Sequence, residues 1–247
     1  MDFTQSGRFL LGAGVGILPA PQEGVGYFFR RDSIIVEVLM RASRQVLAEL
    51  IQDLEQQTLD NLEREERFIT SEVSWQQYDA LLLKLEDNSY YRITYLDGVL
   101  EILSPSRRHE GVKKRIATLL EVYFEETDTE YFPLGSTALR RQEQRGGTEP
   151  DESYCIGTEK EFPDLAVEVV FTSGGVDKLA VYKKLGVTEV WFWEKSRFSL
   201  HRLGGDNYEL ISKSQLLPDL DLALLGEYAQ HPNPLFAVKE FRKNIQG

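Results

Sequence analysis

Asp151, Glu168 and Lys178 are the residues of this chain whose types and spacing could do chemistry. Glu168 lies inside Leu165-Ala166-Val167-Glu168-Val169-Val170-Phe171, a run without the period-2 alternation of a half-exposed strand, so it reads as a strand buried on both faces. A bare carboxylate buried there would cost several kcal/mol, so a cation must meet it: Lys, Arg or a metal. Residues 152–156 can form the preceding strand and 157–162 a polar connection, which predicts an antiparallel hairpin. If the turn centres near Glu159-Lys160, Asp151 falls directly opposite Glu168. Opposed side chains stand about 4.5–5.5 Å apart at Cβ, near enough for both carboxylates to ligate one ion. Without a cation they would repel, and one would be protonated. A slip of one residue would send them to opposite faces.

Lys178 follows from the next element. Gly174-Gly175 ends the strand, and Leu179, Tyr182 and Leu185 give an apolar face to a helix that Gly186 stops. A lysine in the first turn of a helix opposes the macrodipole by about 0.3–1 kcal/mol, and a place beside Asp151 and Glu168 would be a reason for it. Taken singly, each of the three fits a core strand, a surface helix and a structural ion pair equally well. Their order along the chain favours a site.

Other elements must hold these residues in place. Ser74 caps a helix running to Lys84, with Trp75, Tyr78, Leu82 and Leu85 on its inner face. Residues 91–95 and 99–103 form a hairpin about Asp97-Gly98. Glu101 is a charge within its second strand, either a further acid at the site or an edge-strand acid. A helix follows over residues 109–126, and His109 reads as a capping or packing residue. Short strands near Tyr131 and over 138–141 lead to Gly146-Gly147 and the central hairpin. Beyond Gly186, residues 189–194 form a strand whose Trp191 and Trp193 belong to the core rather than to a base-stacking platform. Residues 198–203 then pair with 207–211, and helical pieces lie near 221–229 and 235–242.

The 247 residues suit one domain with an appendage, and a single Cys155 excludes an intramolecular disulfide framework. No apolar run approaches the ~18 residues of a membrane span, and no signal peptide is legible, so a cytoplasmic protein is expected. A net charge of −12 argues against general nucleic-acid binding, so a nuclease would need a local basic face. The candidates are Arg107-Arg108 with Lys113-Lys114-Arg115, Arg140-Arg141, and Lys183-Lys184. No His-Glu-x-x-His zinc pattern, Gly-x-Ser-x-Gly elbow or phosphate-cradling loop is present. Residues 1–67 read as an N-terminal extension. Its long helical pattern, from Ser33 to about Glu66, suits a projecting or homodimerising helix.

From about Phe68 to Pro234 the chain resembles the PD-(D/E)xK nuclease superfamily, and within it the Uma-type endonuclease family. The resemblance rests on Tyr95-Leu-Asp97-Gly98-Val-Leu-Glu101-Ile-Leu-Ser104-Pro105-Ser106 and His109, then Glu149-Pro150-Asp151 and Pro163-Asp164-Leu-Ala-Val-Glu168-Val. It continues through Asp177-Lys178 with Tyr182 to Gly186-Val187-Thr-Glu189-Val-Trp191. Two departures stand out. Val170 occupies the place of the superfamily's lysine, which in the Uma-type pattern moves into the next helix, as Lys178 does. Val99 follows Asp97-Gly98 where an acid is usual, with Glu101 two residues further on the same strand face.

The resemblance implies an α/β fold, a restriction-endonuclease-like mixed sheet flanked by helices over residues 68–247. It implies divalent-metal-dependent hydrolysis of phosphodiester bonds in nucleic acid, DNA above all. Asp151, Glu168 and a backbone carbonyl near Val169 would hold Mg²⁺ or Mn²⁺, the hard cations that oxygen ligands suit. Lys178 would orient the attacking water or offset developing charge, and Glu101 would contribute through water. Two other readings stand beside this one: a binding or regulatory module that kept the fold without turnover, and a structural oligomer whose acids pair with lysines.

Overall fold

A computed structural model describes residues 65–85 and 90–246. The long helix expected over 33–66 falls outside them except at its end. There Glu65 is irregular and Glu66 opens a strand, because Glu66–Thr70 has a sheet edge to pair with.

The single mixed sheet expected from the sequence is two sheets. The first has the order β1(Glu66–Thr70)-β3(Val99–Ser104)-β2(Arg92–Leu96)-β6(Gly146–Thr148)-β5(Leu139–Arg141), and every pairing is antiparallel. The second has the order β11(Asn207–Ile211)-β10(Arg197–Gly204)-β9(Glu189–Glu194)-β8(Leu165–Val170)-β7(Glu152–Ile156)-β4(Tyr131–Pro133). Its one parallel pair, β8 with β9, is joined through the helix α3(Lys178–Leu185), as a parallel crossover requires. The split follows from α3, which packs on β5 and β6 of the first sheet while its chain connects two strands of the second.

Helix α1(Trp75–Lys84) covers the first sheet. Ser74 accepts from the Gln77 amide, and the Gln77 side chain accepts from the Ser74 amide, a reciprocal cap worth about 1 kcal/mol. Tyr78, Leu81 and Leu82 pack there on Ile93, Tyr95, Leu100 and Ile102. Strand alternation sends the intervening Thr94 and Glu101, cross-strand partners, to the opposite face.

Helix α2(Arg107–Glu126) starts two residues before the expected position because Ser106 caps it, accepting from the His109 amide at 3.1 Å. With α4(Leu222–Ala229) and α5(Pro234–Gln246) it covers the face of the second sheet carrying Leu165, Val167 and Val169. Trp191 and Trp193 are buried in that core, as expected. The other face of β8 carries Ala166 and meets Val181, Tyr182 and Leu185 of α3. Glu168 therefore looks toward α3 and the polar face of the first sheet. Among the described residues, no helix is long and apolar enough to cross a membrane.

Candidate active site between the two sheets

The site begins with the hairpin register. Glu152 faces Val167, Ser153 faces Ala166, and Tyr154 faces Leu165, so one step further along Asp151 stands opposite Glu168, as the sequence suggested. Both carboxylates are buried, Asp151 at 3 % and Glu168 at 6 % exposure. Burial raises the pKa of Glu168, and the charge of Asp151 raises it further, outweighing Lys178 and Tyr182. Burial acts on Asp151 in the same sense. There it is overcome by the hydrogen bond and charge of His109 and by the Val169 amide, and the pKa is lowered. The two neighbouring acids are thus shifted in opposite directions, Asp151 down and Glu168 up.

Lys178 joins this pair. It is the first residue of α3, after Asp177, which accepts from the Ala180 amide at 3.1 Å and caps the helix. Its Nζ donates to Glu168 Oε1 at 3.0 Å and to Thr148 Oγ1 at 2.9 Å. Thr148 is paired in turn with Thr94 at 3.0 Å, so the amine ties the acid of one sheet to a hydroxyl pair of the other. An ammonium has three donors, and these bonds leave one. Tyr182, one turn along the same helix face, donates its hydroxyl to Glu168 Oε1.

Glu101 lines the same cleft of about 380 Å³ as Glu168, Lys178 and Arg67. Its Oε2 accepts from the Val176 amide at 2.8 Å and lies 3.5 Å from Arg67 Nε. Arg67 also donates to the carbonyls of Ser173 and Thr172 at 2.9 and 3.3 Å. Together they pin the loop between β8 and Lys178. Its glycines are explained there: Gly174 has a φ of +92°, and a Cβ on Gly175 would collide with the Glu101 carboxylate.

Sequence reasoning passed over His109 as a functional residue. The ring is fully buried, with Nε2 at 3.2 Å from Asp151 Oδ2 and 3.0 Å from the Val169 carbonyl. Burial alone would lower its pKa. The hydrogen bond and charge of Asp151, with help from Glu110 and Glu65, lift it to about 10 instead. Its place among the residues of the family resemblance, three after the capping Ser106, was the signal that could have found it. Arg92 completes the surroundings, with Nη2 3.1 Å from Glu110 Oε1 and Nε 3.9 Å from Asp151 Oδ1.

Among the described residues, no three His, Cys, Asp or Glu side chains are grouped as a metal-ligand set. The donors that do converge are oxygens: two carboxylates and the carbonyl of Val169. Asp151 Oδ2 is engaged by the Val169 amide at 2.7 Å, and Glu168 Oε1 by Lys178 and Tyr182, so the second oxygen of each carboxylate carries no hydrogen bond among the described residues. One or two carboxylates completed by water and substrate phosphate is the ligation Mg²⁺ commonly has, and the donor set fits a hard divalent ion.

A family model described as Uma2, "Putative restriction endonuclease", matches residues 75–229, more than half of the chain. Curated proteins give no match.

Proposed function

The chain belongs to the Uma2 family, and from that premise we propose that it is a metal-dependent nuclease that hydrolyses phosphodiester bonds, with DNA as substrate. The observation that carries this reading is the convergence of Asp151, just before β7, with Glu168 of β8 and Lys178 of α3, beside an open cleft.

In this reading Asp151, Glu168 and the Val169 carbonyl hold Mg²⁺ or Mn²⁺. When bound, such an ion polarises the phosphate and acidifies water. The chain's own groups do the rest. Lys178, fixed by Glu168 and Thr148, turns its remaining proton to a phosphate oxygen or to the attacking water. Tyr182 and Lys178 keep Glu168 in one orientation. His109 holds Asp151 ionised and in place. Glu101 anchors the loop that delivers Lys178 and acts through water in the same cleft.

A second reading, a nuclease fold that binds without turnover, is favoured by one observation: His109 Nε2 already engages Asp151 Oδ2 and the Val169 carbonyl. Incubating supercoiled plasmid and a labelled single strand with Mg²⁺ or Mn²⁺ separates the two readings. Strand cleavage that ends with EDTA and is missing from Lys178→Ala supports the nuclease. Cleavage that survives in Lys178→Ala, or none by the wild-type chain under any metal, overturns it.

A further inference from the structure

Three basic clusters in the sequence could offer a nucleic acid a foothold on so acidic a chain, and in two of them a carboxylate takes one of the two cations. Arg140 pairs with Asp79, and Arg141 lies over the Phe162 ring at 4.2 Å. Lys184 pairs with Asp97 at 2.9 Å, and Lys183 donates to Asn207 at 3.3 Å. Within the third, Lys113 is turned inward to Glu110 and Ser136, and Arg115 donates to the carbonyl of His231. Arg107, Arg108 and Lys114 remain. All three are exposed on α2, and none has an ion-pair partner among the described residues.

Their placement is ordered. Residues 107, 111 and 114 fall at i, i+4 and i+7 on one helix face, with Arg108 on its shoulder. Arg108 lies 4.8 Å from the centre of the Phe171 ring, and Phe171 is 6.1 Å from the ring of His109, which touches Asp151. The stripe therefore runs from the edge of the site along the helix. Seven residues of helix rise about 10.5 Å, so the cations at its two ends can meet different phosphates of one backbone.

Gly111 is the second, independent observation. A glycine within a helix costs about 1 kcal/mol relative to alanine, and a packing neighbour usually explains it. Here a Cβ would meet nothing within 4 Å, and the residue is exposed in the middle of the stripe. Nothing among the described residues requires it. A bare helix surface between cations lets a ligand backbone come close.

We infer that Arg107, Arg108, Gly111 and Lys114 form a track that receives the phosphate backbone of nucleic acid and leads it to the cleft of Glu168 and Lys178. This rests on the nuclease reading and adds the surface that reading lacks. The track contributes positioning, and its neutralised phosphates give binding its salt dependence.

The test is anisotropy of a fluorescein-labelled 24-base-pair DNA duplex, and of one of its strands, titrated with the full chain in EDTA between 50 and 200 mM KCl. Each phosphate contact contributes about 0.9 to the slope of log K against log salt for duplex DNA and about 0.7 for a single strand. The variant Arg107→Ala/Arg108→Ala/Lys114→Ala is expected to lower the slope by about 2–3 on whichever probe the wild type binds. A charge-matched control, Arg197→Ala/Lys213→Ala/Lys239→Ala, removes three exposed cations elsewhere and is expected to lower it by less than about 1. Gly111→Gln is expected to raise the Tm and weaken binding, a pair of signs that a merely structural glycine would not give. Equal losses in the two triple variants, or Gly111→Gln binding as the wild type does, overturn the track while leaving the nuclease reading in place. Absence of wild-type binding to both probes, with no cleavage in metal, removes both.

Discussion

His109 Nε2 stands 3.2 Å from Asp151 Oδ2, so a ring from the first turn of α2 closes the open end of the β7–β8 hairpin. Beyond the last hydrogen-bonded pair, Val169 faces no strand on that side among the described residues. Its amide is taken by Asp151 at 2.7 Å and its carbonyl by His109 at 3.0 Å. The two side chains take the place of a strand there and fix Asp151 opposite Glu168.

This contact makes stability depend on pH. His109 is raised from 6.5 to about 10 in the fold, so the folded state binds the extra proton between those values. The stabilisation is fully present below about pH 6.5 and is lost as pH rises through about 10. Urea unfolding at intervals from pH 6.5 to 10 should show wild-type stability falling with pH, and His109→Gln should flatten that slope. An unchanged slope in the variant would place the titration elsewhere.

Lys178→Ala removes the amine from two buried partners, Glu168 and Thr148, without removing an apolar side chain of the core. Cleavage should fall about 10²–10³-fold, the usual cost of losing one transition-state partner, and the Tm should also fall, because the buried Glu168 loses its cation. Steady-state cleavage and circular dichroism on the same preparation check this together.

Metal binding should be visible without catalysis. Mg²⁺ or Mn²⁺ at about a hundred times Kd stabilises by ~2.7 kcal/mol, which in a domain of this size raises the Tm by roughly 5–10 °C. Asp151→Asn and Glu168→Gln should each abolish most of that rise. Should Glu168→Gln keep the full metal response and alter only the basal Tm, its acid would be a structural partner of Lys178.

A control carboxylate lies outside the site. Glu189 on β9 is fully buried and accepts from Trp191 Nε1 at 3.0 Å, Ser214 Oγ at 2.7 Å, and the Gln215 and Leu216 amides at 2.7 and 3.2 Å. Glu189→Ala would leave these donors buried without acceptors, at a cost on the order of 3 kcal/mol or more. Chemical unfolding should report that loss, and the metal-induced rise in Tm should be unaffected in size.

The local features of this protein were written in its sequence. The unbroken apolar run around Glu168 dictated a central strand, and a polar connection of fixed length set the register that brings Asp151 opposite. Ser74, Asp97-Gly98 and Gly186 marked a helix start, a hairpin turn and a helix stop, because capping and positive φ are decided by a few neighbouring residues. Lys178 was expected beside those acids, but tertiary structure alone brought Thr148 to Lys178 and His109 to Asp151. Lys178 meets Thr148 30 residues away, and His109 meets Val169 at a separation of 60, distances over which no sequence period carries information. The division into two sheets belongs to the same class. It arises because α3 must cover β8 on one side and β5 and β6 on the other, and which surfaces share one helix is settled only when the whole chain packs.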